Sequence, residues 1–117
     1  MKDPVIEWLD PWTSTDGMDK SCHQGFFKQL CIELPLGHDL HGLPAKLIGR
    51  GNGDDALFAI LDGSNRVAVV HLTWVNHAER LPFPLTTIYD DLDHFAAVRM
   101  RPEHADWIEW RAIPTVA

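Results

Sequence analysis

Five polar residues of this chain have the types and spacing that chemistry would need: His38, His41, Asp54, Asp55 and His71. His71 with Asp55 could form an imidazole–carboxylate pair, in which the carboxylate orients the ring for general acid–base work. His38 and His41 stand three apart in a Gly-flanked loop and could offer imidazole nitrogens to a divalent metal. Each has a plainer reading. A histidine on a half-covered strand is more often satisfied by one carboxylate or hydroxyl, and for His71 the partners in reach are Asp55 and Thr73.

No motif forces the catalytic reading. The chain has no G-x-S-x-G, no P-loop, no G-x-G-x-x-G and no H-E-x-x-H. Gly49-Arg50-Gly51-Asn52-Gly53 is glycine-rich, but no helix pattern follows it, so it is not expected to cradle phosphate. The seven histidines show no zinc-type spacing as a set.

The elements that must position these residues lie between Ala45 and Trp74. Arg66–Trp74 reads RVAVVHLTW, apolar on both faces and rich in β-branched types, which fits a strand covered on both sides. Asp55–Leu61 is a second run, joined to it by Asp62-Gly63-Ser64-Asn65, whose residues tolerate positive φ. Ala45–Arg50 is a third, joined through Gly51-Asn52-Gly53. Two short connections in succession imply an antiparallel meander. The return after Asp62-Gly63 then sets Asp55 level with His71 and Trp74, while His38 and His41 lie at the other end unless their loop folds back.

Met18, Cys22, Phe26, Leu30 and Leu34 recur at i+4, widened by Phe27 and Cys31, which predicts a helix over Asp16–Leu34 with Cys22 and Cys31 as reduced core residues. Nine helical residues separate those two cysteines by roughly 13 Å along the axis, too far for a disulfide. Trp8 and Trp12 belong to an irregular arm, residues 1–15, and are expected to cover an edge of the core. Thr86–Tyr89 is a candidate fourth strand. Asp90 or Asp91 caps a second helix with Leu92, Phe95, Ala96 and Val98 on its apolar side. Pro102 is expected to end that helix, and Glu103–Trp110 to form another before a tail, residues 111–117.

At 117 residues and 45% hydrophobic content the chain reads as one globular domain, 1–117. A net charge of −7 argues against nucleic acid, whose recognition requires a basic footprint. No apolar run approaches a membrane span, and the acidic, proline-bearing start lacks a signal-peptide core, so the expected location is cytoplasmic.

The segments HDLHG (38–42), DDALF (54–58) and VHLTW (70–74) together resemble a small bacterial family with no assigned activity, over roughly residues 34–100. That resemblance implies a bacterial cytoplasmic protein and brings no substrate, cofactor or catalytic role.

The sequence therefore predicts an α+β fold: a three- or four-stranded antiparallel meander packed against an N-terminal helix, with C-terminal helices nearby. Its leading functional reading is a non-catalytic module that binds a protein or small ligand, without a cofactor, through Trp74, Asp54, Asp55, His71, His38 and His41. A homodimer is compatible with it. The alternative is a small hydrolase using His71 with Asp55, with or without a divalent metal at His38 and His41. A cleft collecting several of these side chains would favour the enzyme, and a flat apolar patch the module.

Overall fold

The computed structural model describes residues 6–112. The fold is α+β, with five strands rather than three or four. They are β1 (Thr13–Ser14), β2 (Ala45–Arg50), β3 (Asp55–Ile60), β4 (Val67–His71) and β5 (Thr86–Tyr89), all antiparallel in the order β1-β2-β3-β4-β5. The fourth candidate strand is thus present as β5, paired along β4. The additional strand is β1, inside the stretch read as an irregular arm, and its two residues are too few to show a period.

Both connecting loops have the expected backbone. Gly53, Gly63 and Asn65 adopt positive φ, the Gly51 N–H donates to the Asp55 carbonyl, and the Asp62 carboxylate accepts from the Ser64 N–H at 3.0 Å. An irregularity between Leu47 and Gly49 shifts the β2–β3 register.

Helix α1 (Lys20–Glu33) starts later than its apolar pattern suggests. Thr15 is buried and hydrogen-bonds β2 through its N–H to Ile48 and its hydroxyl to Leu47, so it continues the extended chain. Asp19 caps the helix, and the Cys22 N–H followed by the Ser21 hydroxyl pulls its pKa below the usual range. Leu34 is extended because Pro35 follows it.

Cys22 and Cys31 are free and exposed, which corrects their assignment to the core. Residues four apart on a helix are turned by roughly 40°, so a long i+4 series drifts off any single face. The covered face of α1 runs instead through His23, Phe26, Leu30 and Glu33. The Asp19 carboxylate pushes the Cys22 thiol up, and partial desolvation raises Cys31.

Successive strand residues feed two cores. Phe58, Ile60, Ala68 and Val70 pack with Leu30, Leu40 and Leu47 on the α1 side. Leu57, Val67, Val69 and Tyr89 pack with Trp12, Phe95 and Met100 on the other. β4 is accordingly buried from Val67 to Val70.

That second face is covered by one continuous helical path. Asp91 caps α2 (Leu92–Phe95) through the His94 N–H, a π turn spans Ala96–Met100, and α3 runs over Arg101–Ala112. Pro102 does not break the path. The Arg101 N–H reaches back five residues to the Ala96 carbonyl, so the ladder register has already widened where Pro102, which has no N–H to donate, enters the path. Residues 111 and 112 belong to α3 rather than to a tail, while 113–117 and 1–5 lie outside the described residues.

Trp12 is buried, edge-on to Phe95 at 5.0 Å, with its Nε1–H donating to Glu103 at 2.9 Å. Its place, and that of Trp8, is made by glycine. A Cβ at Gly51 would come within 2.8 Å of the Trp12 ring, and one at Gly49 within 2.6 Å of Trp8.

Candidate functional site

Asp55 opens β3 and His71 closes β4, and the strand register sets them directly opposite each other. Their side chains share the face that carries Val69 and Thr87. The His71 Nδ1 lies 3.0 Å from Asp55 Oδ1. An ionised carboxylate only accepts, so Nδ1 carries a proton, and in the neutral ring Nε2 presents a lone pair. The His71 side chain is 56% exposed and Asp55 23% exposed, so the pair stands at the surface with its carboxylate the better covered.

Arg99, on the π turn, approaches the same carboxylate, with Nη2 at 3.6 Å from Asp55 Oδ2. Its Nε donates to Glu103 and its Nη1 to the Tyr89 hydroxyl. Burial works against its charge, but the hydrogen bonds to Tyr89 and Glu103 outweigh that and hold its pKa above the usual arginine range. A chain of polar contacts therefore runs from His71 through Asp55, Arg99 and Glu103 to the buried Trp12. π turns recur at functional positions because they redirect a side chain without ending a helix. Here the turn aims Arg99 back over the sheet. A cleft of about 500 Å³ opens beside these groups, with Val69, Leu85 and Thr87 in its wall.

The other predicted residues separate from this pair. Asp54 is exposed, and its contribution is a backbone carbonyl that accepts from the Leu72 N–H. The loop carrying His38 does fold back, as far as β5. The buried His38 accepts the Leu40 N–H at Nδ1 and donates from Nε2 to the Pro84 carbonyl, so both nitrogens are engaged in holding that loop. His41 is exposed. Only one imidazole of that pair is thus open to a ligand. Among the described residues, no group of three or more His, Cys, Asp or Glu side chains converges as a metal site.

Trp74 follows β4 on the opposite side, 46% exposed, with φ of +61°, unusual for a bulky side chain. Its ring meets Phe26 edge-on at 5.1 Å, and the Arg50 guanidinium lies over Phe26 at 4.9 Å. The backbone there is held by Glu33, to which sequence reasoning gave no role. Its carboxylate is fully buried and accepts from the Thr73 N–H (2.8 Å), the Trp74 N–H (3.0 Å) and Gln29 Nε2 (2.7 Å). The Thr73 hydroxyl lies 2.8 Å from Glu33 and 2.7 Å from Glu79, and its single proton serves one of them at a time. Arg99 was likewise missed. Its only signal was a charge amid the apolar residues after Asp91.

No family model matches the chain, and no curated protein or solved structure matches it. The bacterial reading rests on its three sequence motifs alone. Among the described residues, no helix is long and apolar enough to cross a membrane.

Proposed function

We propose that this chain is a non-catalytic binding domain that receives a protein segment or small ligand in the cleft beside His71. The observation that carries this is the state of the cleft's polar groups. Asp55 and Arg99 are already partnered within the protein, and His71 Nε2 is the nitrogen left open, beside apolar Val69 and Leu85. Apolar Val69 and Leu85 beside the open His71 nitrogen and the Thr87 hydroxyl suit recognition of a ligand with both apolar and polar groups. Leu85, exposed on the connection into β5, adds apolar surface at the cleft's mouth.

A second reading is favoured by one observation: an imidazole oriented by Asp55 and facing a cleft is a general base in waiting. Against it, the Thr86 hydroxyl in the wall already donates to the Pro84 carbonyl, and no serine or cysteine lines the cleft. The remaining hydroxyl in the wall is that of Thr87, so any hydrolysis would use it or water as nucleophile.

His71→Gln separates the two, because it keeps a donor and an acceptor but cannot titrate. A fragment screen followed by amide chemical shifts should give responses clustered on His71, Thr87 and Arg99, retained in folded His71→Gln. Turnover of p-nitrophenyl esters or phosphates that falls about 10²–10⁴-fold in that variant would replace binding with catalysis.

A further inference from the structure

A second pocket, of about 260 Å³, lies on the same sheet face as His71 but toward the other end of β3. Asp55 and Ala59 are four residues apart on that strand, which sets the two sites roughly 13 Å from each other. The pocket has a simple origin. Lys46, Ala59 and Val67 form one cross-strand row, and the middle position is a lone methyl between two longer side chains. The gap is walled by Ile48, Leu92 and the Trp8 ring, and Trp8 reaches it because Gly49 leaves room.

Two charges of opposite sign border this apolar gap, Lys46 and Asp16. Both are exposed, and neither forms an ion pair with the other or with any described residue. Arg66, also at the rim, is paired with Asp62 instead. A largely apolar pocket bordered by an ammonium and a carboxylate that form no ion pair among the described residues is complementary to a ligand carrying both charges and an apolar group.

We propose that this pocket binds an apolar α-amino acid, with its carboxylate at Lys46, its ammonium at Asp16 and its side chain over Ala59. The site is independent of the His71 cleft.

The test is calorimetric titration of the full chain with L-phenylalanine, 3-phenylpropanoate and 2-phenylethylamine, which share the ring and differ in charge. Phenylalanine should bind at least about tenfold more tightly than either single-charge analogue. Lys46→Gln should abolish its advantage over the amine, and Asp16→Asn its advantage over the acid. Ala59→Met should fill the gap and remove binding while the melting temperature holds or rises. His71→Gln should leave binding intact. The proposal is overturned if phenylalanine does not bind, if either analogue binds equally well, or if a folded Ala59→Met protein binds as before. Should Ala59→Met fail to fold, the two charge variants decide the matter by the same comparisons.

Discussion

At the scale of single residues, His71 and Asp62 show what a local pattern can and cannot say. The His71–Asp55 contact was legible because strand periodicity and a short Asp-Gly loop together fix which residues face each other. Arg99 was not, since its approach depends on a π turn that no residue type announces. Asp62 is legible in another way: Asp two residues before Ser is a turn signature. The Ser64 hydroxyl and N–H, and then Arg66, lower its pKa from 3.8 to about 2. A folded-state pKa below the unfolded one stabilises the protein above the unfolded value, and that contribution disappears as pH falls through the folded value. The stability difference between the wild type and Asp62→Asn should therefore be constant above about pH 4 and shrink between about pH 4 and 2. Urea melts across that range would show it, and a difference independent of pH would contradict the assigned bonds.

Among elements, the sheet was readable and its two coverings only partly so. β2 and β3 fall close to their expected ranges because apolar strand runs bounded by Gly and Asn are strong local signals. β4 ends at His71, short of the expected Trp74, where Thr73 and Trp74 turn to Glu33 instead. β1 was hidden by its length, and the cysteines of α1 were misplaced because an i+4 series looks like a stripe while winding around the helix. Gly51 shows how one residue can have two reasons. Composition presents it as part of a turn, whereas in space it seats Trp12. Gly51→Ala should cost about 1–3 kcal/mol, the usual cost of overpacking, and a thermal melt would register it. Glu33 carries a different lesson: a charge at the end of an amphipathic helix ordinarily marks solvent, yet this one is buried. Glu33→Gln replaces an acceptor with an amide that turns a donor toward existing donors. It should cost about 1–3 kcal/mol for the polar group left unmatched, and should alter the near-ultraviolet signal of Trp74.

For the whole molecule, stability should be uneven. β3 and β4 are paired on both sides and buried on both faces, whereas the far end of α3 leaves Ile108 and Trp110 exposed. Hydrogen exchange should show β3 and β4 amides opening last, and amides beyond Asp106 exchanging far earlier. Uniform protection along α3 would mean that its outer end is covered in solution. The buried Glu33 carboxylate also bears on how the chain finds its own alignment. A strand slipped by one residue would point its side chains to the wrong faces, yet its backbone ladder could still form. In a slipped β4, the N–H groups of Thr73 and Trp74 would miss Glu33 and strand an unsolvated charge, a penalty of about 3–5 kcal/mol by analogy with broken buried pairs. Glu33 thus works as an error detector: it adds little to a correct alignment that an apolar residue could not, and it makes the incorrect one untenable.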